Sequence, residues 1–113
     1  MPIFQIPDYG GTIVTLGENE WRQKILSDAP RGHPEVADYL DAIQATIANP
    51  DVVFESTRRS DTRLFYSLHA GKDEYEGKHL VVVVKYVSET KGTRGYVSTI
   101  YLTRGLTSRG KIL

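Results

Sequence analysis

Pro50 constrains the fold more than any other residue, because the apolar period of the chain changes there. Upstream, "HPEVADYLDAIQATIANP" places Val36, Leu40, Ile43 and Ile47 at the three- and four-residue spacings of one helical stripe. Pro34 suits a first helical turn, Glu35 follows where the helix dipole favours an anion, and Asn49-Pro50 ends the run. Downstream the period is two, and Val52 to Ser56, Arg63 to Leu68, His79 to Val87 and Gly95 to Thr103 read as strands. "GENEWRQKIL" predicts a short earlier helix burying Trp21, Ile25 and Leu26, broken by Pro30 and Gly32. Helices that precede strands joined by the polar loops "TRRSDT", "HAGKDEYEG" and "SETKGTRG" predict an α+β fold. In it, one or two N-terminal helices pack on one face of a four-stranded antiparallel meander sheet.

The 113 residues form one domain, with no repeat. Residues 1–17, interrupted by Pro2, Pro7 and Gly10-Gly11, read as a peripheral segment with Ile13 to Leu16 as an edge strand, and 109–113 as a tail. The chain has no cysteine, which removes disulfides, thiolate nucleophiles and cysteine zinc sites. The longest apolar run is Leu80 to Val84 and the N-terminus lacks signal-peptide blocks, so a cytoplasmic protein without a membrane partner is expected. Fourteen basic and fourteen acidic residues cancel. They are segregated: Glu35, Asp38, Asp41 and Asp51 lie on or beside the main helix, whereas residues 90–113 carry Lys91, Arg94, Arg104, Arg109 and Lys111 and no acid. His33, His69 and His79 lack metal-ligand spacing, and no phosphate loop, serine elbow or dinucleotide fingerprint occurs, so neither a metal nor another cofactor is indicated.

Two helices can cover only one face of such a sheet. In the valine strand, Leu80, Val82, Val84 and Tyr86 alternate with Val81, Val83, Lys85 and Val87; in the last strand, Tyr96, Ser98, Ile100 and Leu102 alternate with Val97, Thr99, Tyr101 and Thr103. A register that sets Lys85 opposite Thr99 and Val83 opposite Tyr101 gathers an ammonium, a hydroxyl and a phenol on the uncovered face. A slip of one residue separates them.

His, Lys, Arg, Thr and Tyr are the equipment of metal-independent RNA cleavage. A base takes the 2′-hydroxyl proton, cations stabilise the pentavalent phosphate, an acid protonates the departing 5′ oxygen, and exposed rings stack bases. His33 is a candidate for proton transfer, although a residue preceding a helix also serves as its cap. Arg58, Arg59 and Arg63 surround the first hairpin as phosphate ligands or as a solvated turn. Tyr66 and Tyr101 suit sheet packing as well as base contact, and Thr99 is an ordinary strand residue. Lys85, in a central strand, either snorkels or serves. His69 and His79 flank a polar loop and are expected to be solvated.

The ordered set "HPEVADYLDAIQATIANPD", "LFYSL", "LVVVVKY" and "VSTIYLT" resembles the phage-associated, BECR-type nuclease-like domains of the barnase, EndoU, colicin and RelE-like superfamily over about residues 18–108. That resemblance implies a barnase- or RelE-like sheet and RNA as substrate. It also implies deployment as a toxin or phage-related effector, with an antitoxin or immunity protein as partner. It singles out His33, Lys85, Thr99 and Tyr101 as catalytic, with Arg63 and Tyr66 as looser matches, and Arg58 joins these two as substrate-binding. Similar domains often carry Trp-x-x-His before this helix; here Trp21 is followed by Lys24, which takes the place of the histidine.

The leading expectation is therefore an endoribonuclease with a concave basic sheet face, His33 or Lys24 handling protons, Arg63 and Lys85 on phosphate, and Thr99 and Tyr101 orienting the scissile unit. Lys24 and the zero net charge favour an alternative, an inactive RNA- or protein-binding module on the same fold. A third reading buries Val81, Val83 and Tyr101 in a homo-oligomer.

Overall fold

A computed structural model describes residues 1–28, 32–106 and 110–113; Pro30 and Arg109 fall outside these residues. Six strands form one sheet: β1 (Phe4–Pro7), β2 (Ile13–Leu16), β3 (Val52–Glu55), β4 (Thr62–Ser67), β5 (His79–Glu89) and β6 (Gly92–Thr103). Their spatial order is β1-β2-β6-β5-β4-β3, antiparallel throughout except between β2 and β6. The class is α+β, but the expected four-stranded meander is corrected to a six-stranded mixed sheet. The segment expected at the periphery supplies both additional strands, and Ile13–Leu16 lies between β1 and β6 rather than at the edge.

The reason is the space at Gly95. β2 joins β6 through the pairs Val14–Gly95 and Thr15–Tyr96. A Cβ on Gly95 would lie 2.9 Å from Val84 Cγ1 and 3.0 Å from Val14 Cγ2, so only glycine lets β2 close up. Docking then buries Phe4, Val14 and Leu16, each worth about 1.5–3 kcal/mol on transfer from water.

The main helix is shorter than its stripe. Pro34–Val36 forms a 3₁₀ turn, the chain breaks at Tyr39 (φ −110°, ψ 16°), and α1 runs from Leu40 to Ala48. Tyr39 must be buried as well as Val36, and its hydroxyl accepts the Lys72 backbone N–H at 2.9 Å; a break satisfies both. Ile43 and Ile47 are fully buried and Leu40 is half-buried against the core, so the stripe packs inward across the break. The earlier segment is a π-helical turn, Glu20–Ile25, whose buried residues are Trp21 and Ile25. The structure thus has one regular α-helix among the described residues, and no helix is long and apolar enough to cross a membrane.

The core lies on one side of the sheet, where Phe65, Leu80, Val82, Val84, Val97 and Ile100 meet the helical segments. The turn between β1 and β2 reaches over that side. Tyr9, just past β1, packs edge-on to Phe65 of β4 at 5.6 Å, and Tyr86 of β5 donates to Asp8 at 2.7 Å.

The opposite face of the sheet is not fully open. Phe54, Tyr66 and Val81 are buried there in a second cluster, with Leu64, Val83 and Tyr101 packed partly against them. At the sheet margin, the C-terminal residues follow β3: Glu55 N–H donates to Lys111 O and Leu113 N–H to Val53 O.

Candidate functional site

The β5–β6 ladder contains one irregularity. Val83 is opposite Thr99, but Val84 is opposite Val97, so Ser98 is an extra residue, a β-bulge. The bulge reverses the alternation of β6. Val97 joins Ile100 on the core side, and Tyr96 joins Thr99 and Tyr101 on the other. The expected register is corrected accordingly: Lys85 is flanked by Tyr96 on β6 and Thr62 on β4, while Thr99 faces Val83 and Tyr101 faces Val81. The core residues Val97 and Ile100 are three positions apart, a spacing that no regular strand accommodates and that the extra residue makes possible. The β5–β6 loop is likewise tighter than expected, a two-residue turn at Thr90–Lys91 followed by Gly92 at φ +116°.

A cleft of about 550 Å³ opens beside Lys85, lined by Lys24, Arg59, Tyr96, Val97 and Ser98. It exists because β2 pairs with β6 for only two residues, after which the π-helical turn packs along β6 in its place. Burial of Trp21 and Ile25 leaves Lys24 exposed, with its Nζ 3.6 Å from Glu20 Oε2. Arg59 enters from the β3–β4 loop, its Nε 3.4 Å from Asp61 Oδ1. The Thr62 hydroxyl donates to Asp61 at 2.9 Å; that bond, with Arg59 and Lys85 nearby, lowers the Asp61 pKa and keeps the carboxylate ionised.

A second cleft of about 320 Å³ adjoins the first along β6 and is lined by Ser56, Arg58, Leu64, Val83, Thr99 and Tyr101. The His33 ring packs on Tyr101 with centroids 5.6 Å apart. His33 is not a side-chain cap: its Nδ1 lies 2.9 Å from Glu35 Oε1, and its backbone N–H donates to Ile25 O, tying the turn to the end of the π-helical segment. An ionised carboxylate only accepts, so Nδ1 carries the proton in this pair and Nε2 is left to exchange one. Burial, and secondarily Tyr66, raise the Tyr101 hydroxyl pKa above the ordinary tyrosine value, which keeps it a hydrogen-bond donor near neutrality.

Of the residues expected from sequence, Lys24 and Lys85 share one cleft, Arg58, Thr99 and Tyr101 share the adjoining one, and His33 borders Tyr101. Two are placed elsewhere. Arg63 pairs with Val84 and points to the core side, its Cζ 4.9 Å from the Tyr86 ring centroid. Tyr66 is on the right face but only 2% exposed, edge-on to Phe54, and presents no surface for a base. His79 is buried rather than solvated, its Nδ1 accepting the His69 N–H at 3.0 Å. Sequence reasoning gave no site role to Tyr96, Ser98 or Glu35. The first two depend on the bulge, while the short spacing from His33 to Glu35 was legible. No family model, curated protein or solved structure matches this chain.

Proposed function

We propose that this chain is a small endoribonuclease-like domain that cleaves RNA by attack of the 2′-hydroxyl on the adjacent phosphate. One observation carries the reading: an imidazole oriented by a carboxylate lies against Tyr101, on the sheet face that also presents Lys85. His33 Nε2 takes the 2′-hydroxyl proton. The 2′-oxygen–phosphorus bond forms as the bond from phosphorus to the 5′ oxygen breaks, leaving a 2′,3′-cyclic phosphate. Lys24 returns a proton to the departing 5′ oxygen. Lys85, Arg58 and Arg59 neutralise the phosphoryl oxygens, the last two in the role first expected of Arg63, and the Thr99 and Tyr101 hydroxyls orient the ribose.

The test is incubation of labelled RNA with the protein in EDTA. Fragments ending in cyclic phosphate are expected, with loss of about 10²–10⁴-fold in rate for His33→Ala and a clear loss for Lys85→Ala. RNA left intact by stoichiometric protein sinks the reading. In a host, the same chemistry gives growth arrest on expression that Lys85→Ala relieves, as a toxin or phage-related effector would.

The Lys24–Glu20 ion pair favours a second reading, an RNA-binding module without turnover, because a paired ammonium is held away from a leaving group. It predicts saturable, salt-sensitive RNA retention with no product.

A further inference from the structure

We infer that Tyr96 is a base-stacking platform within a single-stranded RNA track running along β6. The inference takes its ligand class from the proposed function but does not depend on cleavage. Tyr96 is 38% exposed, and the bulge at Ser98 turns it to the same face as Lys85. Its hydroxyl donates to Glu89 at 2.9 Å, which holds one end of the ring in place. An exposed, anchored aromatic side chain has little rotamer freedom to lose when a base stacks on it.

The surroundings of the ring supply the backbone contacts. Tyr96 lines the Lys85 cleft and also a further cleft of about 710 Å³ bordered by Gln5, Thr15, Glu89, Lys91 and Arg94. The two clefts share Thr15 and Tyr96, so the ring stands between them. Lys24, Arg59 and Lys85 lie on one side and Lys91 and Arg94 on the other; Lys24 pairs with Glu20, Arg59 with Asp61 and Arg94 with Glu89, so five cations stand against three acids. Cations on both sides of one aromatic ring match phosphates on both sides of one stacked base. From Arg94 to Tyr101 the track spans about 23 Å at the usual rise of a strand, long enough for several nucleotides rather than one.

The probe is a fluorescent 2′-O-methyl oligouridylate hexamer, which lacks the attacking hydroxyl and cannot be cleaved by the proposed route. Its binding is followed by anisotropy and compared with an abasic hexamer of equal charge. Wild type is expected to prefer the base-bearing strand. Tyr96→Leu is expected to lose about 5- to 150-fold in affinity, the measured range for one stacked base, and to abolish that preference, while Tyr96→Phe, which keeps the ring but loses its anchor to Glu89, is expected to retain the preference with a smaller loss than Tyr96→Leu. Thermal melting establishes that the variants are folded. As a second variant, Lys91→Gln with Arg94→Gln should make the dependence of log affinity on log salt shallower by about 1.4, from about 0.7 per phosphate contact on a single strand. A folded Tyr96→Leu that binds within twofold of wild type, equal binding of the abasic strand, or equal competition by polyglutamate overturns the inference. Intact RNA in the cleavage assay, with the Tyr96-dependent preference retained, sinks the nuclease reading and supports this one.

Discussion

Tyr86→Phe removes one oxygen atom and should weaken the attachment of the N-terminal hairpin to the sheet. The Tyr86 hydroxyl donates to Asp8 Oδ2 at 2.7 Å, while Oδ1 accepts the Gly10 and Thr12 N–H groups at 2.9 Å each. Asp8 is only 7% exposed, so Oδ2 loses a donor in a place with little access to water. A hydrogen bond to a charged group is worth about 1.5–3 kcal/mol. Phenylalanine keeps the ring beneath the Arg63 guanidinium, so the substitution isolates the hydroxyl. With a urea slope of about 2 kcal/mol/M, the unfolding midpoint should fall by about 1 M. Alkali provides an independent readout. Burial, and next the bond to Asp8, raise the Tyr86 pKa far above its ordinary value, and burial raises that of Tyr101. Between the unfolded and folded pKa values the unfolded chain has lost a proton that the folded chain keeps. Stability is therefore complete below about pH 10 and falls above it, by at most about 1.4 kcal/mol per pH unit for each tyrosine. Tyr86→Phe should make that decline shallower by one tyrosine. A midpoint within 0.2 M of wild type, at about 2 kcal/mol/M under 0.5 kcal/mol, together with an unchanged alkaline slope, would refute the assigned role of the hydroxyl.

Gly95→Ala should destabilise the protein by about 1–3 kcal/mol through overpacking against Val14 and Val84; urea titration checks this, and Val14→Ala in the same chain should recover part of the loss. Glu35→Gln removes the charged acceptor from His33 Nδ1, and RNA cleavage should fall in kcat by about tenfold or more with little change in KM. His33 side-chain NMR distinguishes this from simple unfolding, since the Nε2–H tautomer should gain population as the carboxylate is lost.

The helix and strand segments were legible because each carries its own period, and Val36, Ile43, Ile47, Val82 and Val84 are buried as their spacing requires. What escaped the sequence depends on contacts between distant segments. Phe4–Pro7 and Ile13–Leu16 are too short to announce their place in the sheet; Ile13–Leu16 becomes an inner strand, with Phe4–Pro7 at the edge beyond it, because residue 95 has no side chain. Arg63 looked like a phosphate ligand because it adjoins two other arginines, but a strand sends successive residues to opposite faces, and its partner Val84 is a core residue. Tyr66 failed differently. It lies on the Lys85 face, but period two gives direction and not depth, so its burial with Phe54 and Val81 could not be read.

The candidate site lies where the regular pattern stops. Within four residues, Gly95 lets β2 approach, Tyr96 makes the last β2–β6 pair, and Ser98 bulges. Beyond Tyr96, β6 has no β2 partner, and Lys24 and His33 lie beside it, the one with an ammonium near one cleft and the other with an imidazole on Tyr101. Docking of β2 and assembly of the site are thus set by one short stretch of β6. Loosening of β2 at Gly95 should disturb Thr15, Tyr96 and the π-helical turn together, so Gly95→Ala is expected to weaken oligonucleotide binding even under conditions where the protein remains folded. The Asp8–Tyr86 bond anchors the same hairpin on the core side. Its loss should lower stability and leave binding intact, and this contrast separates a residue that shapes the site from one that only supports the fold.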